Sequence, residues 1–309
     1  MNNTELTEQE INNIAKSVSS DLMLISGDID YDTQEAVLKT LKSRKNKHEN
    51  LIFILATPGG FPDCAYRMSR EIQHKYKKST ALIAGWCKSA GTLCVIGASE
   101  LVMADEAELG PLDVQLLRRD ELGELDSGLV ISEALNNLEY HAFSLFESFF
   151  LKIKEKSKGS VTFKTSTEIA ASITKGLFEE LYKQIDPQKI GEVARSLAIA
   201  KAYGVRLNLW AKNMKDHALD NLTLGYPSHG FVIDRREASG LFHRVRSPSN
   251  DESRIIEIIG DMAIEPARST TVFYLNAEEN IHETPNDKER SKEVEEIKQS
   301  NGRPVKAAK

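Results

Sequence analysis

Between residues 22 and 105, short apolar runs alternate with segments that are apolar on one side only. The run LIFILA (51–56) is apolar throughout, which is typical of a strand buried on both faces of a sheet. We predict further strands at 22–29, 80–86 and 100–105. The segments between them carry apolar residues at helical spacing. This alternation predicts an α/β fold with a parallel sheet built from βαβ units.

Single residues predict where some helices begin and end. Asp32 and Glu35 have capping-box spacing, so a helix is expected to open at Asp32. Apolar stripes between about 125 and 220 predict a helical insertion. Its Phe-rich segment, near 146–153, is expected to pack as core or against another subunit. Gly204 is predicted to cap the C-terminus of a helix in this block.

The predicted organisation follows from these patterns. An N-terminal extension covers 1–20, and the main α/β domain covers 21–245, including the insertion at about 125–220. A strand/helix extension follows at 246–276. Residues 277–309 are charged and polar, and we expect this tail to be mostly disordered.

Composition narrows the class of protein. The net charge of −6 argues against nucleic acid as a partner. No apolar run approaches the roughly 20 residues that cross a bilayer, and the N-terminus is unlike a signal peptide. We therefore expect a soluble, cytoplasmic protein without membrane insertion. The odd number of cysteines (Cys64, Cys87 and Cys94), with no CxxC pair, predicts buried reduced thiols and no metal site.

Two turns rich in small residues carry the candidate chemistry. ATPGG ends at Gly60, and CKSAGT contains Ser89. Because the carboxyl ends of parallel strands lie at one edge of a sheet, the two turns are expected to meet. Ser89 is then a candidate nucleophile, and the N–H groups of Gly59, Gly60 and Ala90 are candidates for an oxyanion hole. The alternative is two ordinary turns with a capping serine.

A serine hydroxyl requires a base before it attacks a carbonyl at neutral pH. Among the seven histidines, His229 lies in GYPSHG, a turn able to project an imidazole into a cleft. Asp113, in ELGPLDVQ after the fourth predicted strand, is the candidate carboxylate that orients it.

A lysine base stays open as an alternative. Lys152, Lys154 and Lys158 are predicted to lie on the Phe-rich helix, and one of them would serve if desolvation made it neutral. Lys88 is adjacent to Ser89, and strand alternation predicts that it points away.

Taken together, ATPGG, CKSAGT, AELGPLDVQ and YPSHGFVIDRREA resemble the serine dehydrogenase proteinase family. That family is a distant branch of the Clp-protease and crotonase superfamily, which includes the signal peptide peptidase A enzymes. The resemblance covers roughly residues 20 to 245. It implies a Clp/crotonase-like peptidase domain, a homo-oligomer, and a peptide or protein substrate.

The same resemblance implies roles for individual residues. Against a Clp-type proteolytic subunit, Ser89 falls on the nucleophile, and Gly59 with Ala90 on the oxyanion hole. Asp113 falls where those enzymes keep their histidine, and His229 close to where they keep their aspartate. The resemblance thus implies a triad in the chain order Ser, Asp, His.

The predicted function is a serine peptidase or related acyl hydrolase with no cofactor. The alternatives are a Ser-Lys dyad peptidase, a crotonase-like acyl-CoA enzyme and a non-catalytic oligomeric scaffold. The family name mentions a dehydrogenase, but the sequence has no GxGxxG fingerprint, so nicotinamide chemistry is not predicted.

Overall fold

The computed structural model describes residues 3–112, 115–117 and 125–277. Its α-helices are α1 (Asn3–Ser17), α2 (Tyr31–Ser43), α3 (Pro62–Lys75), α4 (Ala90–Ile96), α5 (Gly128–Lys156), α6 (Phe163–Lys183), α7 (Pro187–Ala211), α8 (Ala218–Asp220), α9 (Arg235–Leu241), α10 (Asn250–Ile259) and α11 (Asp261–Ile264). Its strands are β1 (Ser20–Ser26), β2 (Asn50–Ala56), β3 (Lys78–Ile83), β4 (Trp86–Cys87), β5 (Glu100–Met103), β6 (Glu108–Leu109), β7 (Gln115–Leu117), β8 (Leu125–Ser127), β9 (Val245–Arg246) and β10 (Thr271–Tyr274). A π-helical turn at Asn221–Gly225 follows α8.

A six-stranded sheet organises the molecule, in the order β10-β1-β2-β3-β5-β9. The pairs from β1 to β9 are parallel, with Leu22 opposite Ile52 and Ile52 opposite Thr80. Strand β10 is antiparallel to β1. The predicted α/β class with a mainly parallel sheet is confirmed. The segment predicted as a C-terminal extension supplies α10, α11 and β10, the last of which joins this sheet.

Both faces of the sheet are covered, because the side chains of its strands alternate between them. Met23 and Phe53 point to the face covered by α2, α3 and α4. Leu24 and Ile54 point to the opposite face, against α1, α10 and α11. Double coverage explains why LIFILA is apolar throughout.

Two helix boundaries differ from prediction. Asp30, and not Asp32, is the N-cap of α2, where its side chain accepts a hydrogen bond from the Thr33 amide. Gly204 does not end a helix, because α7 continues to Ala211. A Cβ at position 204 would lie 2.8 Å from the Leu219 side chain, which shows that α7 and α8 pack closely at this glycine.

The third predicted strand, 80–86, is divided in the structure. It ends as β3 at Ile83 and restarts as β4 at Trp86. A Cβ at Gly85 would lie 2.1 Å from the Ile264 carbonyl oxygen, which shows how closely α11 approaches at the break. Strand β4 leaves the main sheet and pairs with β6.

The predicted helical insertion forms α5, α6 and α7 within its described part. Helices α5 and α6 pack together as a hairpin, and α7 packs on α3 and α4. Tyr140, Phe143, Phe163, Leu177 and Leu209 are each more than half exposed on this block. Among the described helices, none combines the length and apolarity needed to span a membrane.

Candidate active site

The two glycine- and serine-containing turns meet beyond the carboxyl end of the sheet. The Thr57 amide donates to the Trp86 carbonyl (2.8 Å), and the Lys88 amide donates to the Thr57 carbonyl (3.0 Å). A Cβ at Gly59 would lie 2.9 Å from the Cβ of Ser89. Only a glycine at position 59 therefore allows the ATPGG turn to lie directly against the serine.

Ser89 has a strained backbone. It is the N-cap of α4, with φ +49° and ψ −113°, a conformation that costs a non-glycine residue on the order of 1–3 kcal/mol. Its side chain is half-buried. A serine on a sharp strand-to-helix turn exposes its hydroxyl beside the helix N-terminus, as a nucleophile requires.

The peptide between Gly59 and Gly60 has a defined orientation. The Gly59 carbonyl accepts a hydrogen bond from the Ile29 amide (2.8 Å) on the β1 side of the turn. In a trans peptide the N–H points opposite to the C=O, so the Gly60 N–H points away from Ile29. That is the side on which Thr57 pairs with Cys87 and on which the Ser89 turn follows.

The peptide between Ser89 and Ala90 is oriented by α4. The Ser89 carbonyl accepts from the Leu93 amide (3.3 Å), so the Ala90 N–H points outward from the helix N-terminus. The Gly59 N–H instead donates to Thr57 Oγ1 (3.1 Å). Of the three predicted donors, Gly60 and Ala90 direct their N–H groups outward, while Gly59 holds the turn.

Two threonines that the sequence analysis did not single out support the turns. Thr57 holds the Gly59 N–H through its hydroxyl. Buried Thr92 donates to the Gly110 carbonyl (2.7 Å) and accepts from the Gly110 amide (3.3 Å). Thr92 thereby ties α4 to the segment that leads to Asp113. The position of Thr57 directly before Pro-Gly-Gly was the sequence signal that could have identified its supporting role.

The loop that carries His229 is anchored beside that segment. Ile233 and Leu109 exchange backbone hydrogen bonds of 2.9 and 3.0 Å, and the Leu112 amide donates to the Leu222 carbonyl (2.7 Å). His229, half-buried, lies in the turn between these two attachments. The segments that carry Ser89 and His229 are therefore linked through residues 109–112.

Tyr226 and Phe231 stabilise the same loop on either side of the histidine. Their rings pack with centroids 4.8 Å apart, and the Tyr226 hydroxyl donates to Glu237 Oε1 (2.9 Å). Burial, with a further contribution from Glu237, raises the pKa of Tyr226, so its hydroxyl remains a donor at neutral pH. Asp113, the predicted orienting carboxylate, lies outside the described residues.

The candidate lysines make other contacts. Lys88, which strand alternation predicted to point away from Ser89, forms an ion pair with Glu108 (3.0 Å). The Lys154 ammonium group donates to the Val161 carbonyl (2.7 Å) within the α5–α6 hairpin. Lys152 is exposed on α5. Lys158 is exposed too, and it lies beyond the end of that helix at Lys156, not on it as predicted.

The three cysteines are buried and free, which confirms the prediction of reduced core thiols. Burial raises the pKa of Cys64 to about 11 and that of Cys94 to about 12. It also raises the pKa of Cys87, just before the Ser89 turn, well above its usual value. These thiols are therefore protonated packing groups. Among the described residues, no cluster of His, Cys, Asp and Glu has the composition of a metal site.

Comparison with protein families places this site in context. Residues 23–122 match a family model described as ClpP-like SDH-type serine proteinase. The match includes both turns and Ser89, and it ends before His229. It confirms, over these residues, the resemblance predicted from the motifs.

Known proteins show weaker similarity. An uncharacterized protein of Methanocaldococcus jannaschii is 26% identical over 88 residues, which cover 28% of this chain and 30% of that protein. The chain thus matches less than a third of that relative's length.

Among solved structures, two mutants of the 1510-N membrane-bound stomatin-specific protease are similar to this chain. A serine-to-alanine mutant aligns with a TM-score of 0.29 and 17% identity, over 47% of this chain and 66% of that one. A lysine-to-alanine mutant in complex with a substrate peptide aligns with a TM-score of 0.39 and 13% identity, over 88% and 95%.

Proposed function

We propose that this chain is a Clp-like serine peptidase in which Ser89 is the nucleophile. The carrying observation is the strained φ of +49° at Ser89, directly against the Gly59 turn and within the segment that matches the proteinase family. A strained non-glycine residue persists only where the surrounding structure enforces it, and such residues concentrate at active sites. A simple capping serine has no need of this conformation.

Gly60 and Ala90 are the proposed oxyanion-hole donors, with Gly59 supporting them. The Gly59–Gly60 and Ser89–Ala90 peptides are each fixed by a hydrogen bond to their carbonyl group, and the N–H group of each points outward. The Gly59 N–H is instead held by Thr57. Backbone donors fixed in this way stabilise the negative charge that develops on the substrate oxygen, and need no rearrangement as it forms.

His229 is the proposed general base, and Asp113 the residue that orients it. The support is the linkage of the His229 loop to residues 109–112, the segment that Thr92 of α4 also holds. The imidazole would take the serine proton as Ser89 attacks the scissile carbonyl, then pass that proton to the leaving amine. Water would hydrolyse the acyl-enzyme by the same proton transfers in reverse order, which releases the acid and restores the serine.

A Ser-Lys dyad is the competing assignment for the base. The contacts of Lys88 and Lys154 weigh against those two residues, because each ammonium group is held by another partner. Lys152 and Lys158 are exposed, whereas a lysine base must be desolvated to lose its charge at neutral pH.

A fluorophosphonate probe tests the nucleophile and the base together. We expect wild-type protein to label at Ser89, and Ser89→Ala to lose labelling and peptide turnover, the latter by on the order of 10⁶-fold. His229→Ala should lose labelling, and Asp113→Asn should slow it. His243→Ala, at an exposed histidine, should label as the wild type does.

Other outcomes separate the alternatives. Full labelling of His229→Ala, with loss in Lys152→Ala or Lys158→Ala, would replace the triad by a dyad. Coenzyme A binding without labelling would favour an acyl-CoA enzyme. Normal assembly with neither labelling nor peptide turnover would identify a scaffold.

The chain is further proposed to act on peptide or protein substrates as a homo-oligomer. The many exposed apolar residues of α5, α6 and α7 support self-association, because contact between subunits would remove these side chains from water. Phe143→Glu combined with Leu177→Glu should shift the particle toward the monomer in light scattering after size exclusion. An unchanged molar mass of the particle would exclude this face as the subunit interface. The cytoplasmic location stays a prediction.

A further inference from the structure

The edge of the sheet opposite the Ser89 turn carries a dense basic surface. Helices α2 and α3 run antiparallel to the strands, so their C-termini meet the amino ends of β1, β2 and β3. Residues 39–50 and 74–78 contain eight of the chain's 40 Lys and Arg residues, against one acidic residue. The chain as a whole is acidic, with 46 Asp and Glu residues. Three of the eight form ion pairs, Arg44 with Asp21, Lys39 with Glu35 and Lys77 with Glu49, and positive charge is still concentrated at this edge.

The basic edge is separate from the candidate active site. Strand β1 has seven residues, which at about 3.3 Å each put roughly 20 Å between the two edges of the sheet. A ligand of the basic edge would therefore not touch Ser89.

Three lysines define the surface, here called the basic edge: Lys47, Lys75 and Lys78. Lys47 places its ammonium group 4.5 Å from the centre of the Tyr76 ring. Partial burial, followed by the charge of Lys75, lowers the pKa of Lys47. Lys78 is exposed at the start of β3. Two cations held close together are stabilised by an anion placed over both of them.

The described chain ends beside this surface. Strand β10 runs toward the amino end of β1, and the Asn276 side chain accepts from the Leu22 amide (2.9 Å). The next carbonyl, of Ala277, accepts from buried Arg44 (3.1 Å). Tyr274 places its hydroxyl 2.7 Å from that of Tyr76, the ring beneath Lys47. The chain therefore leaves the fold directly at the basic edge.

The segment that follows has the opposite charge. Residues 278–296 contain eight acidic and three basic residues, and they begin with Glu278 and Glu279. Nineteen residues span up to about 60 Å when extended, whereas three strand spacings of about 4.8 Å separate β10 from β3. The segment is long enough to reach every lysine of the basic edge.

We propose that residues 278–296 bind in cis across Lys47, Lys75 and Lys78, so that the chain covers its own basic edge with its acidic tail. The binding is electrostatic, since carboxylates would lie over a surface of fixed ammonium groups. It is therefore weakened by salt and displaced by other acidic peptides. The basic edge is, in this view, a docking site for acidic chain segments that the tail occupies.

Zero-length coupling of carboxylates to amines in the full-length chain tests the contact directly. We expect carbodiimide to join Glu278, Glu279 or Glu283 to Lys47, Lys75 or Lys78, and 1 M salt to suppress these products. In a mixture of ¹⁴N- and ¹⁵N-labelled chains, each product should carry a single isotope. Mixed-isotope products would assign the occupant to a second copy and overturn binding in cis. Coupling mainly to other lysines would show that the tail does not bind at the basic edge.

A charge-reversal variant provides the second test. Lys47→Glu combined with Lys75→Glu and Lys78→Glu should release the tail, and a glutamate-specific protease should then cut it about threefold faster or more. The matched control reverses three exposed lysines of the helical block: Lys156, Lys164 and Lys175. Its tail should be cut at the wild-type rate. Equal rates in both variants would overturn the proposal.

Discussion

The two edges of the central sheet handle their polar groups in opposite ways. At the amino edge, the carboxylate of Asp21 is fully buried and turned inward, where Arg44, Tyr76 and Asn276 donate to it. At the carboxyl edge, the turns around Ser89 direct backbone N–H groups outward. The difference separates stability from function: polar groups that satisfy one another hold the fold, and those that point outward are available to a substrate.

The chemistry of the amino edge is stabilising. Arg44 Nη2 lies 2.6 Å from Asp21 Oδ1, and the Tyr76 hydroxyl donates to Asp21 Oδ2 (2.8 Å). Because Tyr76 gives its only proton to Asp21, the hydroxyl of Tyr274 must donate to Tyr76. Burial raises the pKa of Tyr76, which keeps this donor protonated. The network fastens β10 to β1.

On the amino edge, Arg44→Met carries the largest expected effect on stability. Removing the cation leaves Asp21 buried without its partner, which costs about 3–5 kcal/mol of unfolding free energy. Urea denaturation measures the change. Lys39→Met, which removes an exposed ion pair with Glu35, should leave the midpoint unchanged. Turnover by folded Arg44→Met should equal that of the wild type. A loss of turnover would show that the two edges are coupled.

Gly60→Ala is the matching change on the carboxyl side. The new Cβ would lie 2.2 Å from the Ile29 carbonyl oxygen, so the backbone must move and the Gly60 N–H with it. We expect kcat for a peptide substrate to fall by on the order of 10²–10³-fold, the effect of losing one oxyanion donor.

Gly176→Ala on α6 is the control for this change, because a Cβ there meets nothing within 4 Å. It should leave kcat unchanged. Wild-type turnover by folded Gly60→Ala would remove Gly60 from the oxyanion hole.

Thr57→Val removes one hydroxyl from the carboxyl edge. The Gly59 N–H loses its acceptor, while a valine methyl group still fills the space that Thr57 Cγ2 occupies beside Gly91. We expect kcat to fall about tenfold and unfolding free energy to fall by about 1 kcal/mol. Thr80→Val, on β3 at the amino edge, should leave kcat unchanged. Equal kcat values for the two variants would show that the Gly59 turn keeps its conformation without the Thr57 hydroxyl.

Cysteine alkylation should have the smallest effect. With pKa values raised to about 11 for Cys64 and about 12 for Cys94, very little thiolate is present at pH 8. Iodoacetamide should react more than about 10²-fold more slowly than with a free thiol, and turnover should persist. The same protein in urea should be alkylated at all three cysteines. Rapid inactivation of the folded protein would show that the core beneath the Ser89 turn opens to solvent.

The sequence predicted the elements whose causes are local. LIFILA is apolar throughout because both faces of its strand are buried, and the small residues of ATPGG and CKSAGT mark the turns that meet at Ser89. The burial of the cysteines also followed from their number and spacing. Asp113 lies outside the described residues, so its part in a triad stays a prediction.

What the sequence did not predict depends on distant contacts. The break at Gly85 reflects the approach of Ile264, and Gly204, inside α7, packs against Leu219. Neither contact leaves a periodic signal in the chain. The N-cap of α2 was misplaced because Asp30 and Asp32 both suit a cap and only one accepts from a helical amide. Gly59 was predicted as an oxyanion-hole donor, but its N–H donates to the Thr57 hydroxyl, a contact that the sequence pattern does not reveal.

The pairing of β1 with β10 has a consequence for biosynthesis. The Leu22 amide takes its acceptor from Asn276, 254 residues further along the chain. A nascent chain that emerges from the ribosome therefore presents β1 with one long side unpaired until nearly the whole domain has been made. Closing so long a loop is slow, and an open strand edge invites pairing with other chains. The newly made protein is expected to depend on chaperones more than its finished stability would suggest.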